Sequence, residues 1–154
     1  MRLYYALFFG AALLDLVILP WFFGLSLMFK AVLAILPFIF LFMPDKQLKY
    51  FFVVALIYFR ATTQFNLGIL FLALAAFLFF EKYFLTNFFH KTAWQTLALA
   101  SGGILVFYFV LLGFSRVLTP NIFYINSGLL ISILFSMTVS TAFNFLINRI
   151  YKLN

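Results

Sequence analysis

The chain has no cysteine and a single histidine, His90. That excludes disulfides, thiolate nucleophiles and cysteine or histidine metal clusters, and no metal site is read from it. Acid is almost as scarce, with only Asp15, Asp45 and Glu81 in 154 residues, so a paired-carboxylate active site has no reagents. Charged residues of both signs amount to 8%, against about 25% in an average soluble chain. What fills the space is apolar: 68% hydrophobic residues, 26 of them phenylalanine, at a mean hydropathy of +1.20. A globule of this length has too little interior to hide so much apolar surface from water, so the solvent it demands is lipid.

A hydrocarbon core of about 30 Å takes roughly 20 helical residues, so six spans use about 120 and leave about 34 for turns and ends. The apolar runs give spans at about 3–23, 27–43, 50–61, 67–80, 93–118 and 122–147. The first follows Arg2 and has no small-residue cleavage site, so it reads as an uncleaved span. Pro20 helps separate the first run from the second, and Pro37 lies inside the second. Pro44, Asp45, Lys46 and Gln47 form a turn. The 31 residues from Tyr50 to Phe80 would make one helix of about 46 Å, longer than a bilayer accepts without strong tilt. The polar patch after Tyr58 therefore divides them into two short central spans. Glu81 to Lys91 is the longest polar interruption, and Thr92 is placed to cap the helix that follows.

The charge balance supports that division. Ten Lys and Arg give a formal +7, but they stand singly between apolar runs and form no clustered face for a phosphate backbone, so nucleic acid is not a partner. With the N-terminus inside, six spans put Arg2, Lys46, Lys49, Lys82, Lys91, Arg149 and Lys152 on one side and Lys30, Arg60 and Arg116 on the other. Seven against three agrees with the preference of Lys and Arg for the cytoplasmic face. The expectation is an all-α polytopic membrane bundle of about six spans, two of them short, with both termini cytoplasmic.

Three features are candidates for function. Asp15 is the only acid within an apolar run, about 18 Å into the first span, and a charge there costs several kcal/mol unless neutralised or paired. Lys30, Arg60 and Arg116 fall in the same outer half, Lys30 being favoured as a partner. The pair serves as a binding or coupling site, or as a structural pair while the other cations snorkel. The second is the polar turn of Thr62, Thr63, Gln64, Asn66 and Gly68, read as an exposed turn or as the broken ends of two spans lining a cavity. The third is a ridge in the last span. Gly128, Ser132, Ser136, Ser140 and Asn144 recur every four residues, the spacing of a surface that packs against a crossing helix, with a polar path as the other reading. No Ser/His/Asp set, phosphate-binding glycine loop or cofactor motif occurs, so the chain is not read as an enzyme.

The layout as a whole resembles the MreD family, small bacterial inner-membrane proteins of the rod-shape and cell-wall elongation machinery. Those proteins have a similar length, five or six spans and a middle that reads as a short span ending in an acid, a Ser-Gly-Ser-Pro-Leu-Gly-like turn and another short span. The matching stretch here runs from Arg60 to Gly68, with Thr63 near the family's serine and Gly68 at its final glycine. Arg60 stands where the family usually has its acid, which is a departure. Leu85-Thr86-Asn87 and the ending Ala142-Phe143-Asn144, followed by Arg149 and Lys152, look like the family's later pattern. The resemblance implies a multi-pass, non-enzymatic scaffold of the bacterial inner membrane that binds an MreC-like single-span partner and, through it, the wall-synthesis enzymes. Compact six-span chains also resemble the substrate-binding subunits of energy-coupling-factor vitamin transporters, in which Asp15, Arg60, Gln64 and Asn66 would converge on an outward pocket. Flipping of a lipid carrier, with the outer cations on a phosphate, is a third reading.

Overall fold

In hydrocarbon a backbone amide has no water to bond, so a chain this apolar must satisfy its amides within each segment. The computed structural model answers with helices. It describes residues 2–18, 31–63, 65–87, 93–118, 133–134, 136–142 and 145, and every regular element among them is helical. The elements are α1 (Arg2–Leu13) running into a π-helical turn (Leu14–Ile18), α2 (Ala31–Phe42), α3 (Asp45–Thr62), α4 (Leu67–Asn87) and α5 (Ala93–Leu118). Residues 136–142 are helical as well.

Helices α3 and α4 run past the apolar runs that mark them in the sequence, while α5 keeps the expected bounds. Asp45 opens α3 directly after Pro44, which ends α2's connection with extended backbone and cannot itself continue a helix from before. Pro37 leaves α2 unbroken. Helix α4 continues seven residues beyond Phe80 to Asn87. Ring pairs one turn apart carry it there: Phe80 with Phe84 at 4.6 Å between centroids, and Phe79 stacked on Tyr83 at 5.5 Å.

Helices α4 and α5 make the most extensive pair, and α2 packs on both. Lys82 Nζ lies 2.8 Å from Asp45 Oδ1, so the end of α4 stands beside the start of α3 and the two are antiparallel. Gly102 faces Phe80 while Phe107, further along α5, faces Phe77, so α4 and α5 are antiparallel too. Rings join the helices through the middle of the bundle. Phe8 meets Phe51 edge-on at 5.1 Å, Phe51 meets Phe40, Phe40 meets Phe77 at 5.3 Å, and Phe77 and Phe59 both meet Phe107. Each such pair contributes about 0.5–1.5 kcal/mol beyond its burial.

The outside is as apolar as the inside. Phe109 is 80% exposed and Val117 77%, with Tyr50, Ile57 and Phe79 also facing outward. Two helices are long and apolar enough to cross a membrane, at Leu67–Phe84 and Ala98–Val117, and shorter apolar helices cover Tyr4–Val17 and Ala31–Phe40. An apolar surface of this extent suits lipid and would drive association in water.

Candidate functional site

The π-helical turn widens α1 by one residue at Asp15, and this re-aims the carboxylate into the bundle, where the residue is 5% exposed. The backbone amides of Ala31 and Val32 donate to its two oxygens, the second at 3.1 Å. These are the first amides of α2, which have no carbonyl of their own helix to bond. Asp15 therefore caps α2 from 16 residues away and sits at the positive end of its dipole. The hydroxyl of Tyr58, from the last turn but one of α3, donates to Asp15 Oδ2 at 2.7 Å. Phe8 packs edge-on against the Tyr58 ring at 5.5 Å and holds it in place.

On the α5 side the buried Tyr108 is hydrogen-bonded with Ser136. The Asp15 cluster thus joins α1, α2 and α3, and the Tyr108–Ser136 pair joins α5 to the final helical stretch. Three donors that the sequence reading did not assign reach the Asp15 carboxylate. Lys30, its favoured partner there, lies outside the described residues. Arg60 is exposed at the end of α3 and donates to the Phe65 carbonyl at 3.0 Å, and Arg116 is exposed in the last turn of α5.

The polar turn uses its side chains on its own backbone. Thr62 and Thr63 donate one turn back to the Tyr58 and Phe59 carbonyls, at 2.9 and 2.6 Å. Asn66 Oδ1 accepts from the Gly68 amide at 2.8 Å and the Asn66 carbonyl accepts from the Leu70 amide at 3.0 Å, so Asn66 caps the start of α4 at Leu67. Gln64 lies outside the described residues. In the final helical stretch Ser136 and Ser140 are both buried, whereas Thr138 and Thr141 bond the Leu134 and Met137 carbonyls one turn back. Gly128, Ser132 and Asn144 lie outside the described residues.

Between α1 and α3 runs a groove of about 410 Å³ lined by Phe8, Phe9, Leu16, Val54 and Ile57, with the Tyr58 ring at its edge. Its wall is almost wholly apolar, a surface for hydrocarbon rather than for a polar solute. Among the described residues no group of three or more histidine, cysteine or acidic side chains could hold a metal ion.

Sequence reasoning missed two parts of the interior. Tyr58 and Tyr108 look like bulk in an aromatic-rich chain, and nothing in their spacing sets them apart. Glu81 reads as the start of a polar interruption, and the one signal that could place it inside is its register with Leu70, Leu74 and Phe77, at steps of four, three and four along α4, all four being fully buried. Among the described residues, no group donates to either Glu81 oxygen. No family model matches this chain, and no curated protein or solved structure matches it.

Proposed function

We propose that the chain is a non-enzymatic scaffold of the bacterial inner membrane, a six-span bundle with both ends cytoplasmic that works as MreD-like proteins do, by holding a single-span MreC-like partner of the wall-elongation machinery. The carrying observation is that the described polar groups spend their bonds inside the chain, the Asp15 cluster tying α1 to α2 and α3 and the 62–68 turn bonding its own backbone, while the groove beside them is apolar. Such a bundle offers neighbours a greasy surface, and the groove among its described residues suits hydrocarbon better than a polar solute. The antiparallel order of α3, α4 and α5 supports the topology, because it puts Arg60 and Arg116 at one end and Lys46, Lys49 and Lys82 at the other.

The test is purification of the tagged chain from its native membrane in mild detergent after crosslinking, followed by mass spectrometry. A single-span coiled-coil protein together with wall-synthesis enzymes is the expected yield, and depletion of the chain should round rod-shaped cells. An ATPase pair with a coupling subunit would overturn the scaffold reading and make the Asp15 cluster part of a transport site.

A further inference from the structure

Glu81 stands apart from the Asp15 cluster, in the last third of α4 against α5. It is fully buried, and among the described residues no group donates to either carboxyl oxygen. Its neighbours are Phe77 and the backbone of Gly103, packed so closely that a methyl group on Gly103 would overlap Oε1 and meet the Phe77 ring at 2.6 Å. The adjacent Lys82 turns its ammonium to Asp45 at 2.8 Å. Helix α2 carries no titratable side chain, and α5 carries none between Ala93 and Phe107. The charges that α3 brings to this end, Asp45, Lys46 and Lys49, are exposed.

An anionic carboxylate in those surroundings carries a desolvation cost of several kcal/mol with nothing to offset it. A bound cation is the wrong remedy, because hard cations need six or more oxygen ligands and the Gly103 contact leaves no space for them. What the site lacks is one donor. A second buried oxygen at the same end, Gln47 Oε1 in the first turn of α3, lacks one as well. A proton on Glu81 supplies a donor, removes the charge and adds no volume. Water is close, since Glu81 lies three residues, about 4.5 Å, from the end of the apolar segment Leu67–Phe84.

We propose that Glu81 is a proton-binding site: its carboxyl is held neutral at the α4–α5 interface near neutral pH and exchanges its proton with water at the Asp45–Lys82 end. The ionised form cannot stay dry against Phe77 and Gly103, so proton release is coupled to loosening of α4 from α5. The inference rests on burial and contact, independently of the scaffold reading.

Glu81 is the only glutamate in the chain, so glutamate labelled with ¹³C at its side-chain carboxyl reports this one group in the unmutated protein. The full chain, reconstituted in lipid vesicles, is titrated from mildly acidic to alkaline pH and followed by infrared spectroscopy. The expected spectrum near neutral pH is the carbonyl band of a carboxylic acid, converting to carboxylate bands as pH rises. Carboxylate bands already present at neutral pH would overturn the proposal, and so would an acid band that never converts. The link to packing is read from melting temperature. That of the unmutated protein should fall as pH rises from the ordinary glutamate value of about 4 up to the infrared transition and level off above it, whereas that of Glu81→Gln should lack this fall; parallel pH profiles would sever proton binding from the α4–α5 contact.

Discussion

Asp15 is expensive to place in an apolar bundle, and the chain recovers the cost by giving it work that neutral side chains do poorly. One carboxylate accepts from two orphan amides and a phenol, and bonds to an ionised group contribute about 1.5–3 kcal/mol each. Asp15→Ala leaves all three donors unpaired and should destabilise the protein by about 2–4 kcal/mol, measured by thermal unfolding in mild detergent. Asp15→Asn keeps one acceptor and should cost less, and Tyr58→Phe about 1–2 kcal/mol. Because Asp15 and Tyr58 share a bond, Asp15→Ala with Tyr58→Phe should cost less than the sum of the two, and strict additivity would show that the bond carries no stability. The sequence singled out Asp15 by its acid in an apolar run. It could not reveal that amides of α2 reach it, because every residue offers the same amide and only the fold decides which are left orphaned.

Between elements, the α4–α5 contact depends on residues too small to see in a hydropathy profile. A Cβ at Gly102 would lie 2.8 Å from the Phe80 ring, and one at Gly103 would strike Phe77 and Glu81, whereas Gly113 on the same helix has nothing within 4 Å. Gly103→Ala should therefore destabilise by about 1–3 kcal/mol, with Gly113→Ala near neutral, both read by melting temperature. The contrast separates close packing from the general aversion of helices to glycine. At the other side of α4, Lys82 holds the Asp45 carboxyl below its usual range by hydrogen bond and charge. A carboxyl depressed in the folded state adds stability above its unfolded value of about 4, and loses it as pH falls through the lower folded value. Asp45→Asn should remove this acid-side dependence below about pH 4 and leave neutral-pH stability almost unchanged, since the pair is exposed and screened by salt. The helical pattern of α4 was readable through Phe80. Its last two turns were not, because Glu81, Lys82 and Asn87 look like a loop until Glu81 is seen to be buried and Lys82 to reach across to α3.

For the molecule as a whole, composition alone announced helices in lipid, and all described regular structure is helical. The ordering of helices came from the fold, since an apolar residue records that it avoids water but not which neighbour it meets. The absence of cysteine makes the arrangement across a membrane directly measurable. Lys46→Cys and Ala61→Cys sit near opposite ends of α3, both exposed, about 22 Å apart along the axis. A membrane-impermeant maleimide applied to intact spheroplasts should label Ala61→Cys, and should label Lys46→Cys only after permeabilisation. Labelling of both from one side would mean that α3 does not cross.

The bond between Asp15 and Tyr58 spans 43 residues, and this sets an order on synthesis at the ribosome. At about 5–20 residues per second, Asp15 emerges roughly 2–9 s before the phenol that helps satisfy it. Through that interval the nascent first helix carries an acid it cannot bury. On the six-span topology proposed above, its release sideways into lipid is best delayed until α2 and α3 arrive, so that the three helices leave the translocation channel as a group.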